Sequence, residues 1–178
     1  LHSFPTRRSS DLEIARHYPA INWNDSYSEY FTDLDPWYIE NCGKDFIDDR
    51  IGITALLQEE NRLMEIVKLI GSDVLPDDQK LIIEIAKIVR VGFLQQNAFH
   101  KDDTYVTLDK HKLMMQTILH LYDRSKEVVA ENIPLSRIRD TGLFEKITKM
   151  KYDIPNDKPE MFGEYIRDID EKINSILK

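Results

Sequence analysis

An all-α helical bundle is the fold this sequence predicts, and three observations predict it. Apolar residues recur at offsets of three and four through most of the chain, which sets them on one face of successive helices. Segments that alternate apolar and polar residues, the mark of half-buried strands, are few. Glycine occupies only six of 178 positions, too few for the many turns of an all-β fold.

Trp23, Tyr27, Tyr30, Phe31 and Leu34 open the domain with an aromatic-rich segment, helical from about Asp25, whose carboxylate suits an N-cap. Pro36 is expected to interrupt or bend this segment, because it lacks the N–H a helix interior uses. From Lys44 to Ile70 the stripe Ile53, Leu56, Leu57, Leu63, Met64, Val67 and Ile70 predicts a longer helix, and Gly71 is placed to end it in a left-handed cap. The next helix starts at Pro76, where a missing N–H costs nothing. Asp77 and Asp78 in its first turn complement the helix dipole. Leu81, Ile82, Ile85, Ile88, Val89, Gly92 and Phe93 form its inner face; Lys80, Glu84, Lys87 and Arg90 form a solvated one.

Lys101 to Thr107 reads as a polar connection. Leu113, Met114, Thr117, Ile118, Leu121 and Tyr122 mark the following helix, with Asp109 near its start. Pro134 separates it from a shorter helical segment containing Ile138, Leu143, Phe144, Ile147 and Met150, whose continuity Gly142 weakens. Pro155 and Pro159 bound a loop. Phe162, Tyr165, Ile166, Ile169, Ile173, Ile176 and Leu177 then predict a last helix, too short for a stable coiled coil and expected to pack back on the bundle.

Charge and composition narrow the functions. The formal net charge is −8, and it becomes more acidic without the first twelve residues, which carry Arg7 and Arg8 against Asp11. Such a surface disfavours nucleic acid and anionic membrane as partners. Cys42 is the single cysteine, so no intrachain disulfide forms and a reducing compartment is expected; no histidine or basic cluster nearby in sequence marks it as a reactive thiol. No apolar run approaches the roughly 20 residues needed to span a bilayer.

The sequence supplies no catalytic residues. A phosphate cradle of the Gly-rich type ending in Lys and Ser or Thr is missing: the Gly43-Lys44 step is followed by Asp45. His17, His100, His111 and His120 lack metal-site spacing, so no metal ligands are assigned, and His111 is expected to face solvent beside Lys110 and Lys112. The acidic pairs Asp48-Asp49, Glu59-Glu60 and Asp102-Asp103 are neighbours in sequence, point in different directions on a helix and read as a solvated face rather than an acid/base dyad.

The candidate binding residues are Gln95, Gln96, Asn97, Ala98 and Phe99, where the helix that began at Pro76 ends. Carboxamides offer donors and acceptors, and a phenyl ring offers a stacking face, which together suit a flat, heteroatom-rich ligand. On spacing alone the same residues read more readily as a helix terminus capped by amides, with Phe99 packed in the core.

The run FLQQNAF, with HYPAINW and Ser26-Tyr27-Ser28 upstream and Leu57-Gln58-Glu59-Glu60 between, resembles the C-terminal helical domain of the catalytic A subunit of V-type and archaeal-type rotary ATPases. The likeness extends from about Ile14 to the C-terminus, is strongest up to Tyr122 and is loosest after Ile133. It implies that the loop of Gln95, Gln96, Asn97, Ala98 and Phe99 lies beside the adenine of bound nucleotide. It also implies ATP or ADP with magnesium as the ligands of the full-length catalytic polypeptide, no tight nucleotide binding by this domain alone, and a phosphate loop and catalytic glutamate in a preceding domain. The implied partners are the noncatalytic B subunit, other copies of the catalytic A subunit in a hexameric head, and the central stalk. Membrane contact would come only through the assembled complex, whose head is cytoplasmic.

Leu1 to Leu12, LHSFPTRRSSDL, resemble the in-frame translation of a short-read sequencing adapter and are excluded from the fold, leaving residues 13–178 as one C-terminal helical domain of a longer polypeptide. The rival reading is a stand-alone acidic helical module that binds a partner helix through its apolar stripes and takes no nucleotide. A helical domain of the noncatalytic B subunit ranks last, because it would lack the amide motif.

Overall fold

Glycines with positive φ bound the longest helix at both ends: Gly43 at φ 84° before it and Gly71 at φ 87° after it. The computed structural model describes residues 30–71, 74–97, 99–101 and 103–178, so the readings made on Trp23, Asp25, Tyr27, Ala98 and the first twelve residues lie outside the described residues. Helix α1 (Tyr30–Cys42) runs through Pro36 rather than stopping there. Helix α2 (Lys44–Ile70) has the bounds its spacing predicts. Gly71 ends it with ψ 160°, so the cap is a glycine-only conformation outside the left-handed helical basin. Only the first part of its stripe is buried, from Phe46 to Leu63; Ile70 lies exposed.

Helix α3 (Asp77–Ile88) begins where the two aspartates predict. Asp77 Oδ2 also accepts the Leu135 N–H at 2.9 Å, tying the start of α3 to the start of α5 (Leu135–Arg139). Helix α4 (Leu108–Ala130) is capped by Thr107, whose hydroxyl accepts the Lys110 N–H at 3.3 Å. The segment after Pro134 forms two helices instead of one, because Gly142 takes a left-handed conformation at φ 71° between α5 and α6 (Leu143–Asp153). A short turn at Pro159–Met161 leads into α7 (Phe162–Leu177), whose buried residues Phe162, Tyr165, Ile169 and Ile173 pack back on the bundle.

The core is organised around α4, which packs against every other helix. Ile118, Leu121 and Val128 of α4 are fully buried among Ile85 and Val89, Ile147 and Ile169 from the surrounding elements. No strand occurs among the described residues, so the chain is all-α as its periodicity predicts. No described helix is long and apolar enough to cross a membrane.

Candidate functional site

The helix that leads to the amides does not end as a plain α-helix. From Val89 to Leu94 it widens to a π turn, closed by the Gln95 N–H donating to the Arg90 carbonyl at 2.9 Å. Gly92 in that turn lies against α6: a Cβ there would stand 2.9 Å from the Thr148 carbonyl oxygen and 3.0 Å from its Cα. The widened turn directs Phe93 inward, edge-on to the His111 ring at 5.0 Å.

Beyond Gln95 the chain folds into a tight turn. The Asn97 side-chain oxygen accepts the Phe99 N–H at 3.0 Å, and its carbonyl accepts the His100 N–H at 3.1 Å. The His100 carbonyl in turn accepts the Thr104 N–H at 2.9 Å and the Thr104 hydroxyl at 2.8 Å. Phe99 stands at the tip of this turn with a relative exposure of 101%. The alternative that placed Phe99 in the core is thereby corrected: its ring packs against none of the core residues. Gln96 and Asn97 are exposed beside it, and Gln95 is half-buried.

The turn rests on buried charges. Asp103, expected on a solvated face, is 1% exposed, and its Oδ2 pairs with Lys151 Nζ at 3.0 Å. The same oxygen accepts the Asn97 N–H at 2.5 Å, and Lys151 Nζ also donates to the Gln95 carbonyl. Lys110, likewise 1% exposed, donates to the Lys151 carbonyl at 2.9 Å and the Ile154 carbonyl at 2.6 Å. It thus caps the C-terminus of α6, where the helix dipole favours a cation. The His100 ring meets Tyr152 edge-on at 4.8 Å. Burial pushes the Tyr152 phenol up, and the charge of Asp103 adds to the effect.

Two further expectations are corrected here. His111 is half-buried instead of facing solvent, since the π turn brings Phe93 over it. Glu60, also assigned to a solvated face, is 3% exposed and pairs with Arg90, which reaches back from the start of the π turn. Lys110 and Lys151 carry a legible signal. Lys110 stands four residues before Met114 and Lys151 four after Ile147, so both fall on the buried stripe of their helices. Asp103, in a connection without periodicity, carries none.

His111 gives the site a pH dependence. Burial holds its imidazole below the ordinary 6.5, with the charges of Lys151 and Lys110 acting the same way and Asp103 opposing them. As pH falls, the unfolded chain therefore takes up the proton first. The stability contributed by the neutral ring is complete above pH 6.5 and is lost as the pH falls through the depressed folded value. His111→Gln is expected to flatten the fall of the urea midpoint between pH 7 and 5 relative to the parent chain. Parallel midpoint curves for the two proteins would show that His111 carries no such linkage.

The fold and the turn define an all-helical domain that holds an aromatic ring outward on a loop fastened from beneath by buried charge. A family model described as the C-terminal domain of V and A type ATP synthase matches residues 35–139. The V-type ATP synthase alpha chain 2 of Clostridium tetani is 51% identical over 164 residues, which are 92% of this chain and 27% of that protein. The V-type ATP synthase alpha chain of Halothermothrix orenii is 46% identical over 165 residues, 93% of this chain and 28% of that one. The A subunit of the A-type ATP synthase of Methanopyrus kandleri is 41% identical over 170 residues, 95% and 28% respectively. The chain belongs to the family of alpha chains of V-type and A subunits of A-type ATP synthases, whose C-terminal domain it matches. It spans just over a quarter of the length of these curated relatives.

Proposed function

We propose that this domain closes the adenine side of the nucleotide site in the catalytic polypeptide of a rotary ATP synthase or ATPase. Residues 13–178 are read as the C-terminal helical domain of that longer polypeptide. The observation that carries the proposal is Phe99, fully exposed at the tip of a turn between Gln96, Asn97 and the buried Asp103–Lys151 pair. An apolar ring held in water on a fastened turn is poised to stack on a flat base, and the exposed amides beside it offer the donors and acceptors that a purine edge requires. The loop suits the base and not the phosphates, because the buried Lys151 is already occupied by Gln95 and Asp103. The phosphates and magnesium are assigned to a preceding domain, and the isolated chain is expected to hydrolyse no ATP.

In this reading the head assembles from alternating copies of the catalytic A subunit and the noncatalytic B subunit around a central stalk, as the cytoplasmic part of a membrane-attached complex. Base contacts made in only one position of the domain bias its closure by their differential free energy, about 1–3 kcal/mol for one stacked ring and a few amides. Phe99→Ala in the assembled head is expected to weaken nucleotide affinity about fivefold, equivalent to about 1 kcal/mol of lost stacking. Equilibrium titration with a fluorescent adenine nucleotide measures it. Unchanged affinity in a normally assembled head would count against the adenine-side assignment.

A further inference from the structure

We infer that Lys151 is a positioning residue: through the Gln95 carbonyl and the Asp103 carboxylate it sets where the Phe99 turn stands, and so how well the loop receives a base. This rests on the adenine-side reading above. The turn spanning residues 95–103 is held beneath by one ammonium. Lys151 Nζ donates to the Gln95 carbonyl where the turn begins and pairs with Asp103 Oδ2 at 3.0 Å where it ends. The shared Asp103 oxygen also takes the N–H of Asn97, two residues before Phe99, at 2.5 Å. The side chains of Lys151 and Asp103 are 1% and 0% exposed, so the pair is shielded from screening by salt and its geometry is strongly enforced.

Lys151 itself is fixed. Its own carbonyl accepts from Lys110 at 2.9 Å, and the helix that carries it presses Thr148 against Gly92 of the π turn. Helix α6 therefore grips both the approach to the loop and its two ends. A rotation of α6 moves Gln95 and Asp103 together, and Phe99 with them. The family match at residues 35–139 stops short of α6, so this control of the loop comes from outside the matched segment.

Removing one member of a buried pair strands the other, so the test removes both: Lys151→Met with Asp103→Leu, an apolar replacement that buried pairs often tolerate. In this chain the double variant is expected to keep its amide protection throughout α4 and α7. Exchange at Asn97, His100 and Thr104 should be at least about tenfold faster, a local opening that general destabilisation would not confine to the loop. In the assembled head the same variant is expected to weaken adenine-nucleotide affinity about fivefold, because the competent loop position is populated less. If that double variant fails to fold, Lys151→Met with Asp103→Asn, which removes both charges and keeps the shape of the carboxylate, is expected to give the same confined loosening. Unchanged loop protection in whichever variant folds overturns the inference. So does a loosened loop with unchanged affinity in a head whose affinity Phe99→Ala does weaken, and in that case the adenine-side reading stands. If Phe99→Ala itself leaves affinity unchanged, that reading falls and the positioning role falls with it.

Discussion

Arg90→Met is expected to lower the unfolding free energy by about 3 kcal/mol. The carboxylate it leaves behind, Glu60 on α2, is 3% exposed. Arg90 is the cation it pairs with, reaching from the first turn of the π segment. Methionine keeps much of the arginine stem and its packing, so the loss isolates the stranded charge. The effect falls at the lower end for a broken buried pair because the Arg90 side chain is 38% exposed and water can approach the vacated position. Adding Glu60→Leu is expected to recover most of the deficit, since an apolar pair of similar volume replaces the ion pair. Urea unfolding of the parent, both single variants and the double measures the cycle. A single-variant loss below about 0.5 kcal/mol would sink the claim that Glu60 depends on Arg90.

Gly92→Val is expected to cost about 2–3 kcal/mol. The atoms its first carbon meets belong to backbone: Thr148 O at 2.9 Å, Thr148 Cα at 3.0 Å and Thr148 C at 3.3 Å. A flexible side chain could swing away, but the backbone of α6 moves only if the helix does, and α6 is held at its end by Lys110. Gly92→Ala should have the same sign and a smaller size, since alanine's better helix propensity, about 1 kcal/mol, offsets part of the overlap. The check is a lower urea midpoint with an unchanged slope, which assigns the change to stability and not to compactness of the unfolded state. A variant as stable as the parent would mean that the π turn and α6 have room to part.

These two positions also show what the sequence withholds. Helix bounds are legible wherever Gly or Pro sits beside a periodic run, as at Lys44–Ile70 and at the start of α3. The π turn is not: Gly92 reads as one more position of an α-helical stripe, and the Thr148 backbone it lies against is far off in the chain. Pro36 reads as a breaker, yet α1 continues through it. Amphipathic reading assigns Glu60, Arg90 and Asp103 to solvent, and of the two pairs only Lys151 falls on a buried stripe. Of the candidate site, the aromatic and amide groups can be read directly as a cluster. The arrangement that keeps Phe99 outward cannot, since it joins residues far apart in the chain.

Lys151 also decides how this domain can be transplanted. A cut after Arg139, where the family match ends, keeps the amides and Phe99 but discards the ammonium that neutralises Asp103 and the helix that backs Gly92. Chimeras that exchange the loop between relatives will carry its geometry only if the exchanged piece runs through Ile154, whose carbonyl completes the hold on Lys110. The smallest heritable unit of this site therefore reaches past its candidate binding residues and past the C-terminal end of the family match.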